Sequence, residues 1–225
     1  MEGMTVFGPE RFPLLPNREK VFAWLGCDRD LPCRRAFERA WPTACGLLAW
    51  CMRPQAAIAR HCDGSLTVFL TLGPEPEAQA SALFARQDYV TGSLLNTMSD
   101  EVLFQMNQRV AALVSEMLRS QRVYAHARLE PGVDLTTEVQ RDKLAAIRSA
   151  IPFARISETG VLFPSKSMMY VITVSDEPCM LDTLHDCAAC SQTDCPYREA
   201  PAAGKSPAPC PEAQAGQGVR GVKAR

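Results

Sequence analysis

The sequence predicts an α+β fold, and three observations lead there. One long stretch repeats apolar residues at steps of three and four, as a helix face does. Several short apolar runs of strand length stand elsewhere in the chain. Helical and strand-like segments follow one another without the regular βαβ alternation of a doubly wound sheet. Together they give an α+β domain over residues 17–175, preceded by an irregular leader (1–16). A Cys-rich appendix (176–199) and a disordered tail (200–225) are expected to follow.

The leader holds a few apolar side chains among Pro and Gly. From Asn17 to Arg60 the pattern is helical, with Pro32, Pro42 and Pro54 each marking a helix boundary. Leu66 to Leu72 (LTVFLTL) reads as a buried strand that stops at the Gly73–Pro74 turn. The clearest periodicity comes next. Leu94, Met98, Val102, Met106, Val110, Leu113 and Met117 line one face of a long helix, its methionines acting as flexible core filling.

Arg122 to Arg128 alternates as a strand, and Pro131–Gly132 breaks the chain. Thr136 and Thr137 can cap a helix to about Ala150, with Val139, Leu144, Ile147 and Ile151 on its inner side. Phe153 to Ser157 and Met168 to Val174 read as two further strands, the second apolar throughout and so buried on both faces. Beyond Ala200 there is almost nothing to bury, which is the composition of a disordered segment.

Charge and composition remove several function classes. The 225 residues carry 24 Lys+Arg against 25 Asp+Glu, so no cationic excess favours nucleic acid. No stretch reaches the roughly 18 apolar residues of a membrane span, and the N-terminus lacks the build of a signal peptide. A soluble, cytoplasmic protein is expected. No G-x-S-x-G elbow, Walker loop or H-E-x-x-H pair is present.

The chain has ten cysteines. Without an export signal they do not suggest a disulfide framework. Cys27, Cys45 and Cys51 lie in apolar helical surroundings, where they pack as small hydrophobes. Cys187 and Cys190 form a C-x-x-C pair, with Cys195 soon after and Cys179 upstream. These four are candidate ligands for an iron–sulfur cluster or for zinc. The other readings are free thiols, or a site completed by His185 or Cys210.

Two motif segments suggest a family. Arg128-Leu-Glu-Pro-Gly132 is followed by Asp134, Glu138 and Gln140, and Ser157-Glu158-Thr159-Gly160 leads through Pro164-Ser165-Lys166-Ser167 into the apolar strand. Their order and spacing resemble the activation domain of vitamin B12-dependent methionine synthase, most of all its stand-alone form with a Cys-rich end. The resemblance spans roughly residues 17–198. It implies a mainly antiparallel twisted sheet flanked by helices, and a reactivating role. Such a domain binds S-adenosylmethionine as the methyl donor for reductive remethylation of oxidised cobalamin.

The cobalamin belongs to a partner, either a cobalamin-dependent methionine synthase or another corrinoid protein. Flavodoxin or ferredoxin is the expected electron donor. Arg128 and Gly132 match the family's R-x-x-x-G, in which the arginine grips the ligand's carboxylate and the glycine admits close backbone approach. Glu101 is the nearest candidate for the acidic residue that the family places in the long helix. Glu158 fits the pattern or braces a turn, and Lys166 contacts a corrin side chain or phosphate or is a surface lysine. Where the family has Tyr after the motif's glycine, this chain has Val133. The alternative is an electron-transfer or docking module, carrying iron–sulfur or zinc, for a corrinoid protein.

Overall fold

The computed structural model describes residues 3–27, 32–177 and 197. The architecture is α+β: a five-stranded, wholly antiparallel sheet flanked by helices. In chain order the elements are β1 (Met4–Phe7), α1 (Arg18–Trp24), α2 (Pro32–Cys51), β2 (Gln55–Arg60), β3 (Leu66–Thr71), α3 (Glu75–Ala85), α4 (Tyr89–Ser120), β4 (Tyr124–Leu129), α5 (Thr137–Ala145), β5 (Arg155–Ile156), β6 (Leu162–Phe163) and β7 (Ser167–Ser175). The sheet order is β1-β2-β3-β7-β4, and β5 with β6 forms a separate small hairpin. No helix among the described residues is long and apolar enough to cross a membrane.

The 32-residue α4 organises one layer. Asp88 caps it by accepting from the Thr91 N–H at 3.1 Å, the side-chain role that favours Asp at this position. Leu94, Met98, Val102, Met106 and Val110 are all fully buried against the sheet and the other helices. Towards its end the buried stripe moves to Val114 and Leu118, while Leu113 and Met117 are half-exposed. A 3.6-residue period drifts against a fixed spacing in this way over several turns. The opposite face of the sheet buries Ala57, Ala59, Phe69 and Met169 under Leu144, Ile147 and Ile151. With both faces covered, β3 is buried at every position.

Several expectations need correction. The first sixteen residues contribute the edge strand β1, registered with Met4 opposite Ala59. Pro42 lies inside α2 and does not end it; packing of α2 on α4 outweighs the lost hydrogen bond. Residues 55–60 form β2, although their alanines suit a helix, because sheet burial overrides intrinsic propensity. Beyond the Gly73–Pro74 turn the chain forms the helix α3, which adds to the expected elements. α5 stops at Ala145 and continues as turns, and Val139 is 38% exposed whereas Gln140 is 2% exposed.

Candidate functional site

The R-x-x-x-G segment becomes a tight knuckle between β4 and α5. The Glu130 carbonyl accepts N–H bonds from Val133, Asp134 and Leu135 at 3.3, 2.9 and 3.2 Å. The Asp134 carboxylate in turn accepts from the Glu130 N–H at 2.9 Å. Gly132 has φ +76, with open space where a side chain would stand, and a left-handed backbone of this kind favours glycine. Thr136 then caps α5 by accepting from the Val139 N–H at 3.4 Å.

The S-E-T-G segment turns the small hairpin towards that knuckle. The Ser157 hydroxyl oxygen accepts from the Val161 N–H at 2.9 Å, and Arg141 of α5 donates to the Ser157 carbonyl at 2.8 Å. Gly160, at φ +86, lies so close that a Cβ there would meet Thr137 Oγ1 at 3.0 Å and Gln140 Oε1 at 4.0 Å. Between the knuckle and this turn lies a cleft of about 330 Å³, lined by residues 131–137, Gln140, Thr159 and Gly160. That volume is at the small end of the range for ligand pockets.

Gln140 is the chemically informative residue. Its Nε2 donates to the Leu135 carbonyl at 3.0 Å. Its Oε1 is buried and has no hydrogen-bond partner among the described residues. A buried acceptor without a donor is unfavourable by about 1–3 kcal/mol, so in this cleft it suits a ligand that brings an N–H or O–H. Among the described residues the lining includes one carboxylate, Asp134, and no cationic side chain. The cleft therefore favours a cationic or donor-rich ligand.

Arg128 lies beside the cleft without lining it. Its Nε is 2.6 Å from Glu130 Oε1, and its guanidinium carbon is 3.5 Å from the centre of the Tyr170 ring. Only 8% of the side chain is exposed. Burial pushes the Tyr170 hydroxyl up to about 12, partly opposed by the Arg128 charge. Arg128 thus braces β4, its own sheet neighbour β7 and the knuckle.

Glu101 has a different setting again. It is 2% exposed and accepts from the Asn17 N–H at 2.9 Å and from Gln105 Nε2 at 2.7 Å. Those bonds fasten the start of α1 to α4. Its neighbour Asp100 meets the cation instead, with Lys166 Nζ at 2.6 Å from Oδ1 and the Tyr197 hydroxyl donating to Oδ2 at 2.9 Å. Lys166 is 7% exposed, and its carbonyl accepts from the Leu72 N–H at 3.0 Å. Glu158 is exposed in the hairpin turn, next to the lining residue Thr159.

Of the expected cofactor-binding residues, then, only Gly132 lines the cleft. Asp134, Thr137, Gln140 and Gly160 join it there, all but Thr137 standing in the two quoted motif segments. Cys179, Cys187, Cys190 and Cys195, the expected metal ligands, lie outside the described residues, as do His185 and Cys210.

No protein-family model matches the chain, and no curated protein matches it. Among solved structures it is similar to the crystal structure of the MetH reactivation domain bound to AdoHcy. The two are 10% identical, over 80% of this chain and 81% of that one, with a TM-score of 0.45.

Proposed function

We propose that this chain is a stand-alone reactivation subunit for a cobalamin-dependent methionine synthase or another corrinoid protein, with the cleft holding S-adenosylmethionine. One observation carries the reading. Residues 131–137 and Gln140 from the first motif segment, and Thr159 and Gly160 from the second, line a single cleft whose buried acceptor, Gln140 Oε1, has no partner among the described residues. When bound, S-adenosylmethionine supplies a methyl group on a sulfonium to a corrinoid that the partner holds.

The chain's own residues bind and orient that donor. Gln140 Oε1 accepts from an ammonium or hydroxyl of the ligand, and Asp134 contributes negative charge suited to a cation. Gly132 and Gly160 carry no side chain at their places in the two walls, so that backbone and ligand approach closely there. Arg128 acts as a positioning residue through Glu130. Such a site works by proximity and orientation. The electron for reductive remethylation comes from flavodoxin or ferredoxin.

A second reading is an electron-transfer or docking module for a corrinoid protein that binds no methyl donor. It draws on the pairing of Arg128 with Glu130 and Tyr170, outside the cleft lining. Calorimetric titration of S-adenosylmethionine into the wild type and into Gly160→Val separates the two. The first reading requires saturable binding that is lost when the valine fills the cradle beside Thr137. A well-folded wild type that takes up no S-adenosylmethionine supports the second.

A further inference from the structure

Away from the cleft, two thiols meet where α1 gives way to α2. Cys27 Sγ and Cys33 Sγ are 3.6 Å apart. Cys27 is 4% exposed, while Cys33, the second residue of α2, is exposed to solvent.

Bonds on both sides fix this approach. The Cys27 N–H donates to the Phe22 carbonyl at 2.9 Å, anchoring it to the end of α1. Arg34, next to Cys33, donates from Nη1 to the Cys27 carbonyl at 3.3 Å. The Arg34 guanidinium is held by Glu19 of α1 at 3.1 Å and Glu38 of α2 at 3.2 Å, and it lies 4.7 Å from the Phe22 ring centre. One arginine therefore links α1, α2 and the Cys27 carbonyl.

We propose that Cys27 and Cys33 are a reversible dithiol–disulfide site, oxidised by small-molecule disulfides such as oxidised glutathione. The Cys33 thiolate, open to solvent, attacks one sulfur of the small disulfide. The other sulfur leaves as a thiolate, and Cys33 is left in a mixed disulfide. Cys27 then attacks Cys33 Sγ and expels the second thiolate. Two protein thiols are oxidised to one disulfide, one small disulfide is reduced to two thiols, and the two cysteine protons end on the leaving thiolates.

The sulfurs need to close by only about 1.5 Å to reach bonding distance. The exposed partner gives the oxidant access, and the buried partner resolves the mixed disulfide. Burial pushes the thiols of Cys45 and Cys51 up, away from the reactive thiolate form.

The test treats the full chain with oxidised glutathione, denatures it, alkylates the remaining thiols and digests it with trypsin. Cleavage after Lys20, Arg29 and Arg34 places the two cysteines on separate peptides, 21–29 and 30–34. The expected result is a disulfide-linked pair of these peptides that disappears after dithiothreitol, and complete alkylation of Cys27 in Cys33→Ser. Circular dichroism confirms that this surface variant is folded. The proposal is overturned if Cys33 of the folded wild type stops at the glutathione adduct while Cys27 is alkylated. Alkylation of both thiols, or a Cys27 linked to any other cysteine, overturns it equally.

Discussion

Replacing Gln140 by Met separates a binding role from a structural one. The amide makes one hydrogen bond, from Nε2 to the Leu135 carbonyl, and buries one acceptor without a partner. Losing the bond costs about 1 kcal/mol, and removing a lone buried acceptor returns about 1–3 kcal/mol. The Leu135 carbonyl still accepts from the Gly132 N–H at 3.2 Å, so it is not stranded. Stability should thus stay within about 1 kcal/mol of wild type, or rise slightly.

Binding behaves differently in the same variant. If Oε1 accepts from a ligand ammonium, its loss costs about 1.5–3 kcal/mol, or roughly 10- to 150-fold in affinity for S-adenosylmethionine. Urea unfolding and calorimetric titration of one preparation supply both numbers. Unchanged affinity in Gln140→Met would refute the role of this acceptor. A loss of more than about 3 kcal/mol of stability would show that the amide serves the fold instead.

Three further predictions concern the scaffold. Pro42 is exposed within α2, so Pro42→Ala should stabilise the protein by about 1–3 kcal/mol in urea unfolding. Asp100→Ala leaves the buried Lys166 ammonium without its carboxylate partner and should cost about 3 kcal/mol, most of which Lys166→Met restores in the double variant. Bonds from Ser65 and Lys143 hold the Asp63 carboxyl down to about 2. Its contribution is therefore complete above the ordinary carboxylate range and is lost as pH falls from about 4 through 2. The carboxylate is 59% exposed, so the gap between wild type and Asp63→Asn should stay below about 1 kcal/mol at pH 7 and close by pH 2 in thermal melts.

How much of this was legible from sequence depended on how many residues repeated a pattern. The stripe from Leu94 to Val110 announces α4 because the helical period recurs over several turns. Residues 55–60 carry no such signal. Ala56 and Ile58 face one core while Ala57 and Ala59 face the other, so the burial that makes them a strand leaves no polar alternation to read. β1 is four residues long and is defined by its pairing with β2, which no local pattern encodes.

At the site, single-residue phase decided the outcome. One position turns a helix by about 100°, which separates Asp100, paired with Lys166, from Glu101, bound to Asn17. The same step exchanges the apolar Val139 for the buried Gln140. A polar residue on the inner face of a short amphipathic helix was the available signal for the cleft, and an apolar template passes over it. The direction of Arg128 was not legible either, because it depends on Tyr170 lying one strand away.

The proposed occupancy of the cleft between Gly132 and Gly160 by S-adenosylmethionine can be read out residue by residue. Titrating it into isotope-labelled protein and following the amide resonances by NMR tests this most directly. The Gly132 and Gly160 backbone signals and the Gln140 side-chain amide should shift together and saturate along one binding curve, while the signals of residues 22–27 stay in place. Saturable shifts confined to another surface, or none at all in the folded protein, would contradict that occupancy.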